Sequence, residues 1–370
     1  MKIKILTNCI VFVFLIIFPL ISLAIEFEKL GFLTLAAGKK ISSEFNDAFV
    51  VADYGQGGIY ENNRWNIGPD SKIGLQGILT FNPFWSMTGQ FVMRGARDGN
   101  INLEWLYATY QATNNLTLQF GLKRLPLFYY SEAQDIGVSL PWVRLPTPMY
   151  GWDVVNFRGA NLIYRSMLGK WSSIIELFYG NEIRRDNPYL KIYNDRGTKW
   201  DEKWNHIHGA DWTLNHDWLE LRFSYVHSGM EYWDEMDKAN TYFNTKQSFY
   251  SVATTVDYEK LLIRSEISKT DRPTSFEHYT AYLLGVGYRV NKWLPMITFS
   301  RFQSNYDNDS PNERFNNLSF LLRYDLSPSS AIKAQYDIFN DKSEPGVTSY
   351  NAAGRYGDAK MFSIAYDMTF

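Results

Sequence analysis

Residues 360–370 read KMFSIAYDMTF, and the order of side chains in this stretch decides the fold. Phe362, Ile364, Tyr366, Met368 and Phe370 take every second position, with Ser363, Ala365, Asp367 and Thr369 between them. Successive residues of a strand point to opposite faces, so this segment is a strand with one apolar and one polar side. A soluble sandwich would press the apolar side onto a second sheet. A membrane barrel would turn it to lipid.

The same alternation recurs along the whole chain. Sixteen strand-like segments are expected, at about 30–37, 72–81, 84–95, 101–112, 115–124, 156–166, 170–180, 208–215, 217–228, 248–258, 260–269, 277–290, 292–304, 316–325, 329–339 and 360–370. Most approach the ~9–11 residues of a membrane-spanning strand. Leu116, Leu118, Phe120 and Leu122 share one apolar face, as do Leu219, Leu221, Phe223 and Tyr225, and Leu318, Phe320, Leu322 and Tyr324. The opposite faces carry charges such as Lys123, Glu220, Arg222, Arg264 and Glu266, which suit water better than a packed core.

The connections add a rhythm. Seven are short and turn-like, among them Asn82-Pro83, His216-Asp217, Glu259-Lys260 and Asn291-Lys292. They alternate with eight longer ones, near 38–71, 96–100, 125–155, 181–207, 229–247, 270–276, 305–315 and 340–359. Hairpin follows hairpin, with short turns on one rim and long loops on the other. The fold expected is all-β, a closed antiparallel up-and-down transmembrane β-barrel of about sixteen strands. Closure follows from physics, because hydrocarbon offers no partner to an open sheet edge.

The first 24 residues suit export. Lys2 and Lys4 precede an uncharged run from Cys9 to Ala24 that closes on Ser22-Leu23-Ala24, the small-x-small form of a signal-peptidase site. The expected division is therefore a signal peptide, 1–24, and a single barrel domain, 25–370. Cys9 is the chain's sole cysteine, so the exported domain gains nothing from disulfides. Without Lys2 and Lys4, 35 basic residues face 39 acidic ones, a balance too mild for a nucleic-acid binder. The 17% aromatic content includes Trp85, Trp105, Trp171, Trp218, Tyr225 and Trp293 near strand ends, where girdles sit at membrane interfaces.

On these residues the chain resembles a known family. The alternating last strand ending on Phe370 is similar to the C-terminal signature of Gram-negative outer-membrane barrels, which the barrel assembly machinery recognises. With the signal segment, the sixteen strands and a long third loop, the whole mature chain resembles the porins. The stretch SLPWVRLP, Ser139–Pro146, is similar to a segment of porin-like proteins of gammaproteobacteria. The resemblance implies an outer-membrane location amid lipid and lipopolysaccharide, a water-filled channel for passive diffusion of small hydrophilic solutes and ions, a homotrimer, and a third loop folded into the lumen. It implies no cofactor and no catalysis.

The third loop supports an inward course on its own chemistry. Residues 125–151 carry Phe128, Tyr129, Tyr130, Trp142, Met149 and Tyr150 with four prolines, and so apolar a segment needs something to pack on, the barrel wall behind it or else the rim or a neighbouring subunit. Folded inward, it would present Glu132, Asp135 and Arg144 to the pore. Strand phase then points Arg94, Lys123, Arg158, Arg165, Arg222, Arg264, Arg289, Arg301, Arg323 and Lys333 inward, against Glu104, Glu176, Asp211, Glu220, Glu266 and Asp337. Such charges, clustered opposite an acidic loop, would set a transverse field; paired within the wall, they would not.

Weaker patterns exclude other classes. His206 and His208 beside Asp201 and Glu202 read as a solvated loop rather than a metal site. His227 and Ser228 are neighbours on a strand and face opposite ways, so no hydrolytic set forms there. Gly55, Gly57 and Gly58 read as a flexible loop. Three alternatives to a general channel stay open: a channel selective for sugars or anions, a plugged structural or adhesive barrel, and an outer-membrane hydrolase, for which no rim triad is found.

Overall fold

Period-two alternation forces the strands, and the backbone's need for partners forces their closure. The computed structural model describes residues 25–46, 48–193, 197–273, 277–348 and 353–370. The expected signal segment lies outside the described residues. In chain order the strands are β1 (Glu26–Ser43), β2 (Val50–Asp53), β3 (Gly58–Tyr60), β4 (Lys72–Asn82), β5 (Trp85–Arg94), β6 (Ile101–Gln111), β7 (Leu116–Arg124), β8 (Asn156–Leu168) and β9 (Trp171–Arg184). They continue with β10 (Trp200–His216), β11 (Leu219–Asp234), β12 (Phe243–Tyr258), β13 (Leu261–Arg272), β14 (Glu277–Tyr288), β15 (Trp293–Tyr306), β16 (Arg314–Ser327), β17 (Ser330–Asp341) and β18 (Ala359–Thr369). β2 and β3 form a separate hairpin, and the other sixteen close into one barrel in sequence order.

The seam joins β1 to β18 antiparallel, with Phe32 opposite Thr369 and Leu35 opposite Tyr366. Gly31 and Phe370 exchange backbone hydrogen bonds of 2.7 and 2.9 Å, so the chain's last residue completes the ring. A Cβ on Gly31 would run into the Phe370 ring, which explains glycine at that position.

The outer face is the apolar one. Leu35, Ile267, Phe320 and Ile364 are 56%, 52%, 43% and 44% exposed, a surface for hydrocarbon rather than water. Phe362, Ile364, Tyr366, Met368 and Phe370 share it, while Ser363 and Asp367 are buried on the lumen side. Aromatic pairs mark the rims, with ring centroids 4.7 Å apart for Trp85 and Tyr110 and 4.5 Å for Trp293 and Tyr324. On the short-turn rim, Asp217, Glu259 and Asn291 adopt positive φ, the backbone shape that two-residue hairpins require.

Several strands outrun their expected bounds. β10 begins at Trp200 rather than 208, β11 reaches Asp234 and β12 begins at Phe243. KWDEKWNHIHGADW is therefore mostly strand, not loop. A bulge at Asn205–His208, with His206 at φ 51°, interrupts the alternation that would have revealed it.

This surface carries a prediction. Leu284, mid-strand on β14 and half exposed, borders acyl chains, so Leu284→Arg should cost about 2–4 kcal/mol. Urea unfolding of the protein refolded in lipid vesicles measures it; a cost below ~1 kcal/mol would contradict a lipid-facing position.

Candidate functional site

The candidate site is the barrel interior, and loop 3, residues 125–155 between β7 and β8, lies within it. Two apolar clusters anchor it to the wall. Leu125, Leu127, Phe128 and Met149 pack with Trp204, Val226, Met230, Phe249 and Leu283, while Tyr130, Leu140 and Trp142 pack with Leu262, Leu294, Met296 and Leu321. Burying such side chains stabilises each by about 1.5–3 kcal/mol, which offsets the entropy of ordering a long connection.

Polar contacts then fix its path around the wall. Trp142 is fully buried and donates from Nε1 to Thr298 Oγ1 at 2.8 Å. Lys333 donates to the Gly137 and Trp142 carbonyls at 2.7 and 2.8 Å and pairs with Asp367 at 2.8 Å. Arg323 holds the Val138 and Leu140 carbonyls, both at 2.8 Å. Across the lumen, Glu266 accepts from the Tyr129 amide at 3.0 Å and the Tyr150 hydroxyl at 2.6 Å. Arg222 donates to the Tyr129 carbonyl at 3.1 Å, and Arg264 to the Tyr130 hydroxyl at 2.8 Å.

Two ionic straps complete the attachment. Asp135 lies between Arg94 and Arg124 at 2.7 and 2.5 Å, and both arginines also pair with Glu104. Arg144 pairs with Asp70 and Asp337, each at 2.7 Å. Asp135 and Arg144 therefore face the wall rather than open water, and of the three charges expected to meet the pore Glu132 alone is exposed. Burial acts to raise the Asp135 pKa; the Arg94 and then Arg124 guanidiniums, with Lys72, overcome it and hold the carboxyl well below the usual range.

Arg94, Glu104, Lys123, Arg165, Arg222, Arg264, Glu266, Arg323 and Lys333 all lie on the inner face. Arg289 sits at the short-turn mouth, 46% exposed by side chain and paired with Asp325 at 2.9 Å. Arg158 does not face the lumen: it shares the outer face with Leu122 and Leu162, is 59% exposed by side chain and pairs with Glu182. Residues 158 and 165 differ by an odd number, so a strand as regular as β8 cannot turn both inward. Arg301 is likewise on the outer face of β15. Trp105 departs the other way. A bulge opposite Gln90 and Phe91 puts Glu104 and Trp105 both on the lumen side, so Trp105 lines a cavity instead of a girdle.

The long-loop mouth holds residues that sequence patterns missed. The β2–β3 hairpin folds inward, and its Gly55 carbonyl accepts from Arg184, so Gly55, Gly57 and Gly58 form a packed turn instead of a flexible loop. Gly57 needs its positive φ of 68°, and Pro188 occupies the space a Cβ would fill. Tyr54 stacks on Tyr193 at 6.3 Å, and Phe49 meets Tyr356 edge-on at 5.8 Å. Glu313 is buried among these rings and accepts from the Tyr193 hydroxyl at 3.4 Å. Burial, then the Asp341 carboxylate, pushes its carboxyl up to about 8.

No protein-family model matches the chain, and no curated protein sequence matches it. Solved structures do match its fold. Outer-membrane expressed OmpT of Vibrio cholerae aligns over 95% of this chain and 99% of its own with a TM-score of 0.60 at 10% identity. A trimer form of in-vitro folded OmpT from Vibrio cholerae aligns over 94% and 100%, with a TM-score of 0.56 at 12% identity. The anion-selective porin from Comamonas acidovorans aligns over 94% and 100%, with a TM-score of 0.59 at 11% identity. The likeness is one of fold, the closed sixteen-stranded barrel.

Two predictions follow from the charges. Asp135→Asn leaves Arg94 and Arg124 with one carboxylate and should cost about 3–5 kcal/mol, loosening loop 3 to protease. Because the folded pKa is depressed, the wild-type strap is complete above pH ~4 and lost as pH falls below it, an acid sensitivity the variant should lack. Glu313 has the opposite sign: its raised pKa makes the mouth cluster less stable as pH climbs from ~4.3 to about 8. Glu313→Gln should abolish that slope in limited proteolysis of the mouth loops; an unchanged slope would assign it elsewhere.

Proposed function

We propose that the chain is an outer-membrane porin of a Gram-negative bacterium, a water-filled channel through which small hydrophilic solutes and ions diffuse passively. The observation that carries this reading is the inversion of surfaces, apolar residues outside and charged ones inside a closed ring. A soluble barrel would have the reverse. Passage needs no catalysis: constriction width, wall charge and dehydration cost decide what crosses. Loop 3 supplies the constriction, with Glu132 on its lumen side and Tyr129, Tyr130, Asp135, Trp142 and Arg144 as its anchors. The terminal strand with Phe370 serves as the assembly signal, and the fold's company, which includes a trimer form, favours a homotrimer in lipid and lipopolysaccharide.

A second reading has its own support. Loop 3 within the lumen and the aromatic cluster at the mouth fill space that an open channel would leave to water. A plugged barrel of structural role would show the same packing.

Current through planar bilayers separates the two. The channel predicts stepwise conductance from purified protein. Lys333→Ala, which frees the Gly137 and Trp142 carbonyls, should enlarge or destabilise each step. Silence from the wild type and the variant alike would favour the plugged barrel.

A further inference from the structure

Between loop 3 and the short turns lies a cavity of about 300 Å³ against the inner wall, lined by the carboxylates of Glu132, Glu176 and Asp211 and by Lys123, Arg124, Arg165 and Arg222. Glu176 and Asp211 stand directly opposite each other on β9 and β10. Glu132 reaches from loop 3 into the lining of the same cavity. Arg165 and Arg222 occupy the next inward-facing row toward the short turns, in register with Ile174 and Thr213.

The pairing within this set is incomplete. Glu176 has Lys123 at 3.5 Å, and Asp211 has Arg222 at 3.0 Å. Glu132 and Arg165 have no ion-pair partner among the described residues, and Arg165 is held only by Thr117 Oγ1 at 3.0 Å. Asp211 directs Oδ1 at Arg222 and Ser224, whereas its Oδ2 is buried without a hydrogen-bond partner. Like charges directly opposite destabilise a sheet, and a buried acceptor without a donor costs about 1–3 kcal/mol. Among the described residues Glu132 therefore lacks a cation and Arg165 lacks an anion.

We propose that this cavity is a binding subsite for compact zwitterions such as α-amino acids, with the ammonium among Glu132, Glu176 and Asp211 and the carboxylate on Arg165. The assignment rests on the channel reading above and deepens it by naming a solute class. A simple anion would meet three carboxylates on entry, and a simple cation would meet Arg165. A neutral sugar compensates neither row. Adjacent rows on one face are ~7 Å apart along the strand, a distance that suits a short molecule bearing both charges.

Binding and permeation test this separately. In detergent, saturation-transfer NMR with L-glutamine should show contact with the wild-type protein and far less with D-ribose, putrescine or succinate. Arg165→Gln and Glu132→Gln should each weaken glutamine binding about tenfold, the loss of one charge-assisted contact. Arg165→Lys, which keeps the charge, should retain most of it, and Lys292→Gln, at a remote turn, should change nothing. In vesicle swelling, glutamine should enter faster than ribose. Equal binding of glutamine and ribose, or binding indifferent to Arg165→Gln in a folded variant, would overturn the subsite; ribose entry would then leave the channel standing. Glutamine binding without any conductance would do the reverse.

Discussion

A backbone amide or carbonyl facing hydrocarbon has no partner other than another strand, and every feature of this molecule depends on meeting that demand. The chain meets it by pairing each strand with two neighbours and by bringing its last residue back to Gly31. Once the ring is closed, alternate side chains are committed to lipid or to lumen, and a shift of one residue anywhere would exchange the two. The apolar face of the terminal strand is thus a consequence of closure, since that strand has β1 and β17 at its edges and lipid at its back.

The lumen presents the complementary problem. A cylinder of this size holds more inward-facing charge than open water needs, and loop 3 absorbs much of it. Asp135 and Arg144 are the two ends of this arrangement, each drawing wall residues of opposite sign into a buried pair. Buried pairs contribute less to stability than their geometry suggests, because desolvation offsets the attraction. What they contribute here is register: loop 3 cannot slide without separating charges from Arg94 to Asp337. The lumen charges that the straps do not use are chiefly Glu132 and Arg165, with the partly paired Lys123, Glu176, Asp211 and Arg222.

Above loop 3 the mouth adds a cluster of aromatic rings to ion pairs such as those of Arg272 with Asp153 and Glu277. Tyr54, Tyr189 and Tyr193 lie against one another and, with Phe49 and Tyr356, pack on Phe302 of β15 and Phe315 of β16. A carboxyl placed in that setting, as Glu313 is, couples loop packing to pH through desolvation and the nearby Asp341 carboxylate.

All sixteen strands, their up-and-down order and the outward face of the last one were legible in the sequence, because a half-buried strand must alternate and a short turn must carry residues such as Asp217, Glu259 and Asn291 that tolerate positive φ. The composition of loop 3 already showed that it needed something to pack on. Elsewhere the reading failed in two ways: Arg158 and Arg301 face outward by parity on regular strands, whereas the bulge beside Glu104 carried Trp105 inward and the bulge around His206 hid the start of β10. Partners of loop residues were not legible at all. Asp135 meets Arg94 and Arg124, and Arg144 meets Asp70 and Asp337, only because the barrel curves back on itself. Local periodicity determines which way a side chain points, while the closed ring decides what it meets there, since those neighbours come from strands and loops distant in sequence.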